Sequence, residues 1–258
     1  MNVIVVSTLS GFILALVPLL LARPLRERLG VKQRMFLRIG LWFLLIQMFQ
    51  IVILGNLSSS FPVVDSWSEI VKALFYGVFM GLFMELFRYV LLDRVFRHIR
   101  TYKESLYFGF CAAALTTVIM GFVLFLGSFG LNMVANTSDL STLVGSSTPE
   151  DLQQAMMFQS QARELLAQPA VYGFIPLVER SSFLLFDMAL TALIVFGLAK
   201  GETKYAWAAV FARASVTSCF YLLSSVSDLA SAIGLLVLGA MSLWFIFHIQ
   251  RSFPKHQH

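Results

Sequence analysis

Glu85 and Arg88 stand three residues apart, with Tyr89 beside them, in the run Gly81-Leu82-Phe83-Met84-Glu85-Leu86-Phe87-Arg88-Tyr89. On a helix, positions three and four apart share a face, so carboxylate, guanidinium and phenol project together. Such a group suits two roles. A carboxylate held beside an arginine is a candidate general base. The same pair is also a self-neutralising ion pair, which lowers the cost of putting either charge in an apolar place. A second set of charges follows further along, at Glu179, Arg180, Asp187 and Arg213. Arg180 and Asp187 are seven apart, two turns along nearly one helical face. A lone Asp near the middle of a membrane span costs roughly 2.5–3.5 kcal/mol, so Asp187 must face other helices and find a partner. Arg213, at comparable depth, is the candidate partner. The alternative is a neutral, hydrogen-bonded Asp187. Together Glu85, Arg88, Glu179, Arg180, Asp187 and Arg213 form the expected buried charge network.

The metal-binding residue types are placed elsewhere. The four histidines are His98, in a basic stretch, and His248, His256 and His258 near the C-terminal end. Cys111 and Cys219 lie inside hydrophobic runs without metal-ligand spacing and read as packing thiols. The expected metal content is therefore none, and no cofactor is expected.

The elements that carry these charges are legible from composition. The chain is 58% hydrophobic and 13% charged, against about 45–50% and about 25% in ordinary soluble domains. A chain this short cannot cover so much apolar surface in water, whereas a lipid-facing surface needs no polar cover. A span needs about 20 apolar residues. Runs of that kind occupy residues 3–22, 35–57, 68–92, 105–126, 172–199, 205–223 and 230–249. The first has no basic segment before it and is read as a true span rather than a signal peptide. Arg23-Pro24 is expected to close it. Lys72, near the start of the third run, is expected to snorkel to the membrane surface. The expected fold class is all-α, a polytopic transmembrane helical bundle of seven spans forming one membrane domain over residues 1–258.

The net charge of +5 does not point to nucleic acid, because the basic residues sit in short stretches between hydrophobic runs. Arg23, Arg26, Arg28, Lys32 and Arg34 follow the first run. Arg94, Arg97, Arg100 and Lys103 follow the third, Lys200 and Lys204 the fifth, and Arg251 and Lys255 the seventh. The alternate connections carry Arg163 against Asp65, Asp139, Glu150, Asp151 and Asp228. Basic loops stay in the cytoplasm, which predicts the N-terminus outside and the C-terminus inside. The longest connection holds Thr148-Pro149-Glu150-Asp151, a helix start. It predicts an amphipathic helix over 149–168 that lies on the outer membrane face or caps the bundle.

The run from Gly81 to Tyr89 resembles the glycine-started Glu-Glu-x-x-Arg-Tyr motif of the YhfC family, which is grouped with the CPBP and PrsW membrane proteases. Val178-Glu179-Arg180 resembles that family's Glu-Arg motif at the start of a later span. The resemblance implies a membrane fold whose members activate water with a glutamate and a metal held by membrane-embedded histidines. The departures fall on those ligands. Met84 stands where the first glutamate is expected. Ala112 stands at a histidine and Thr116 at an acid, in Phe110-Cys111-Ala112-Ala113-Ala114-Leu115-Thr116. Asp187 stands at a further histidine, and another is expected near Ala212, beside Arg213. Hard carboxylates with three arginines around them suit a salt-bridge network better than a divalent cation.

These features lead to the expectation of an integral membrane protein of this family type that is catalytically inactive and acts as a binding or scaffold subunit for another integral membrane protein. Its surroundings are the lipid bilayer, as a multi-pass protein of a bacterial plasma membrane. Two alternatives stay open. One is an active intramembrane metalloprotease, with Glu85 as the base, Arg88 orienting it and Asp187 as a substitute ligand. The other is a small-molecule or lipid transporter, since charged residues within spans often mark a substrate path.

Overall fold

A computed structural model describes residues 3–31, 35–60, 66–136 and 149–253. Among the described residues there is no strand, and seven helices are long and apolar enough to cross a membrane. These spans are Val3–Leu29, Met35–Leu54, Glu69–Val95, Tyr102–Asn136, Ala170–Lys200, Lys204–Val226 and Asp228–Gln250. Backbone polar groups cannot meet water in hydrocarbon, so each segment satisfies them along its own helix. Lys32, Arg34, Asp65, Asp139, Thr148 and Lys255, named above as topology or capping signals, lie outside the described residues, as do His256 and His258.

Helix ends follow local chemistry. Arg23-Pro24 does not close the first span, contrary to expectation: the helix passes through Pro18 and Pro24 to Leu29. Each proline removes one backbone donor, a loss that membrane helices tolerate. The helix ends instead at Gly30, whose φ of 70° is the left-handed turn that glycine adopts freely. There Val31 N–H donates to Arg26 C=O at 3.2 Å and Gly30 N–H to Glu27 C=O at 3.3 Å, a Schellman cap. Gly201, at φ 71°, ends the fifth span in the same way. The fourth begins at a reciprocal capping box, in which Glu104 N–H donates to Thr101 Oγ1 and Thr101 N–H to Glu104 Oε2. Ser227 caps the seventh through its Oγ, which accepts from Ala230 N–H at 3.0 Å. Lys72 Nζ lies 3.1 Å from Glu69 Oε1, one turn back on its own helix.

The chain divides into two compact units. The first comprises Met1–Val17 with Val118–Val178. Gly11 and Gly121 let the first and fourth helices touch there: a Cβ on Gly121 would lie 2.4 Å from Ala15 N. The helix predicted over 149–168 runs from Pro149 to Ala167. Its Gln159 Nε2 donates to Val134 C=O at 3.2 Å and its Arg163 Nε to Ala135 C=O at 3.4 Å. Both serve the terminal carbonyls of the fourth helix, the end at which a cation is favoured.

The second unit comprises Pro18–Thr117 with Glu179–His258. Its core packs Ile39, Phe43, Leu92, Phe96, Ile99, Phe108, Ile194 and Val195. Phe108 meets Phe43 and Phe96 edge-on, at ring separations of 5.9 and 5.3 Å. Small residues bring its helices together. A Cβ on Gly77 would lie 2.5 Å from Ala214 C=O, and one on Gly81 2.6 Å from Val210 C=O. The third and sixth spans therefore touch backbone to backbone, and Ser218 Oγ adds a bond to Ala73 C=O at 2.9 Å. Gly109 does the same for the fourth and fifth, where a Cβ would lie 2.6 Å from Met188 Cα. The third span is interrupted by two π-helical turns, Gly81–Glu85 and Leu91–Val95.

Candidate functional site

Three close helix contacts determine what meets at the centre of the second unit. Gly77 and Gly81 bring the sixth span, with Arg213, against the third, with Glu85 and Arg88. Gly109 brings the fifth span in at Asp187. Glu85 lies in the first π turn, an irregularity that recurs at functional sites.

Four charges join there. Glu85 and Arg88 have no exposed surface, Arg213 is buried, and the Asp187 side chain keeps 15% exposure. Arg88 Nη1 lies 3.0 Å from Glu85 Oε2, and Arg213 Nε donates to Glu85 Oε1 at 2.9 Å. Arg88 Nη2 and Arg213 Nη2 both donate to Asp187 Oδ1. Each guanidinium thus bridges the same two carboxylates, closing a ring of alternating sign with no formal net charge. Two rings of carbon atoms support it: Phe43 lies 5.3 Å from the Arg88 guanidinium carbon and Phe186 4.9 Å from that of Arg213. In so dry a place the ion pairs are strong, and an unpaired member is costly.

Glu179 and Arg180 do not ion-pair with the other four. Arg180 Nη2 lies 3.5 Å from Glu179 Oε1, and both side chains are about one-quarter to one-third exposed. Two helical turns separate Arg180 from Asp187, about 10 Å along the axis, and the nearer carboxylate takes the guanidinium. The sequence reading also missed the bond from Arg88 to Asp187, since spacing alone pairs Arg88 only with its helical neighbour.

Beside the ring is a cavity of about 30 Å3. Met84, Ala112, Thr116 and Asp187 line it together. These are the positions where the family resemblance places two acids and two histidines. Gln47, Arg88, Thr117 and Arg180 line it too. Gln47 was readable in the sequence as an amide within an apolar span, but nothing there tied it to the charges. The two described histidines are elsewhere: His98 is exposed in the connection after the third span, and the exposed His248 ring stacks on Trp244 at 5.2 Å.

The donor set decides what the arrangement can hold. Among the described residues no group of three or more His, Cys, Asp or Glu side chains converges. A catalytic zinc needs about three protein ligands with an open position for water. Here two carboxylates face two guanidiniums that already bond them, and a divalent cation would have to displace both. These residues do not fit a catalytic divalent metal.

The sequence matches the family described as YhfC intramembrane metalloprotease over residues 13–232. Searches of curated proteins and of solved structures gave no significant match.

Proposed function

The chain belongs to the YhfC intramembrane metalloprotease family, and from that premise we propose that it keeps the membrane fold without the metal chemistry. The observation that carries the reading is the engagement of Glu85. Its two oxygens meet Arg213 Nε at 2.9 Å and Arg88 Nη1 at 3.0 Å. A general base must have a lone pair free for the proton it takes, within reach of its water. Both Glu85 oxygens are ion-paired to guanidiniums, which compete with any water for them, and among the described residues no imidazole joins it to hold a metal. The cluster then holds the third, fifth and sixth spans together.

A membrane fold without its reaction acts through what it touches. The protein serves as a binding or scaffold subunit for another integral membrane protein, multi-pass in a bacterial plasma membrane, with its basic connections in the cytoplasm. The sign of the charged connections supports that orientation: the short link at Lys200 and Lys204 is basic, whereas Glu150 and Asp151 begin the helix of the long connection.

Cleavage is the test. Purified protein is incubated with transmembrane peptides in detergent and in vesicles, with and without added zinc or manganese. No cleavage is expected in either condition. Cleavage that Glu85→Gln abolishes would overturn the reading and restore Glu85 as a base. Crosslinking in the native membrane, followed by purification, is expected to retain an integral membrane partner at fixed stoichiometry.

A further inference from the structure

Two buried polar atoms in and beside the ring have neither a hydrogen bond nor an ion-pair partner, whereas Glu85 Oε2, which also accepts no hydrogen bond, lies 3.0 Å from Arg88 Nη1. Arg88 Nε and Thr116 Oγ1 are both buried, and neither has a hydrogen bond within the chain. Arg88 has no exposed surface and Thr116 has 6%. A buried donor left unsatisfied costs about 1–3 kcal/mol. Both residues line the same cavity of about 30 Å3, and a cavity of about 10–15 Å3 on that measure already admits one water.

Charge narrows the choice of occupant. Arg88 and Arg180 line the cavity and disfavour a cation, while Asp187 lines it and disfavours a free anion. The volume excludes a lipid headgroup or a peptide segment. A neutral molecule of water size that both donates and accepts is what remains. We propose that this cavity is a resident water site, in which water accepts a hydrogen bond from Arg88 Nε and bonds the Thr116 hydroxyl. Gln47 and Thr117 bring further polar groups to its wall. Such a water meets the two to four partners that buried waters have. It satisfies Arg88 Nε and links the third span to the fourth.

The site adjoins the ring of the preceding reading but does not depend on whether the protein is inactive. Radiolytic hydroxyl labelling tests it on the full chain in detergent, because radicals formed from a bound water mark the side chains beside it. Met84 is the reactive reporter: it lines the cavity and is only 6% exposed. Phe108, fully buried and away from the cavity lining, gives the background. Met84 is expected to label several-fold above Phe108. Thr116→Val, of similar volume without the hydroxyl, should lower that labelling several-fold, whereas Thr116→Ser should retain it and guard against a folding defect. Labelling of Met84 at background, labelling indifferent to Thr116→Val, or equal loss in Thr116→Ser would overturn the proposal. Labelling should also withstand a strong chelator. Loss on chelation would mark a metal-bound water and overturn the metal-free reading as well, so the two failures are distinguishable.

Discussion

Arg213 reaches from the sixth span to place its Nε 2.9 Å from Glu85 Oε1 on the third, while its Nη2 bonds Asp187 on the fifth. One guanidinium thus ties three helices. Leaving one member of such a cluster charged and alone costs about 3–5 kcal/mol. Arg213→Met should therefore destabilise the protein by about that amount. The double change Arg213→Met with Asp187→Asn should cost less than the sum of the single effects, because Glu85 and Arg88 still pair with each other and no charge is stranded. Unfolding in mixed detergent micelles, run as a mutant cycle, measures both.

The close approach of the third and sixth spans predicts a second effect. A Cβ at Gly77 would lie 2.5 Å from Ala214 C=O and 2.0 Å from Ser218 Oγ. The hydroxyl can turn away, but the carbonyl belongs to a helix backbone and moves only with its span. Gly77→Ala should cost about 1–3 kcal/mol by overpacking. Gly127→Ala, where an added Cβ meets nothing within 4 Å, should be near neutral in the same assay.

Orientation is open to chemical labelling. Thr203→Cys, in the basic turn after the fifth span, should be protected from a membrane-impermeant maleimide in intact cells and react after lysis. Gln168→Cys, following the helix Pro149–Ala167, should react in intact cells. The reverse pattern would invert the proposed topology. Both are best made with Cys219 replaced, since that thiol is exposed.

One carboxylate outside the spans gives a pH prediction. The ion-paired Lys204 ammonium holds Glu202 below its ordinary carboxylate value. A group whose pKa is depressed on folding stabilises above its unfolded value, and loses that effect as the pH falls through the folded one. The contribution is therefore intact at neutral pH and fades only in acid. Lys204→Met should return the Glu202 titration, followed by NMR, upward to the ordinary carboxylate range.

The sequence made the spans and their charges legible for one reason: in hydrocarbon, polarity is expensive enough to show in a single sequence. The same cost argument singled out Asp187 and named Arg213 as its partner. What escaped it depends on how helices rotate against each other. Gly77, Gly81 and Gly109 fix those rotations, and a glycine within an apolar run does not announce which helix it faces. Hence Arg88 was paired with Glu85 alone, although it also bonds Asp187. Glu179 and Arg180 were grouped with the ring, although they pair with each other. The π turns and the passage of the first helix through Pro24 were missed because both depend on packing around the backbone rather than on local preference.

Metal content is the most direct test of the central claim, that the charged ring has taken the place of metal chemistry. Protein purified in detergent, loaded with zinc or manganese and desalted, is assayed by mass spectrometry alongside Glu85→Gln and Asp187→Asn. The account predicts no stoichiometric metal in any of the three. About one equivalent in the native protein, lost in both variants, would contradict it.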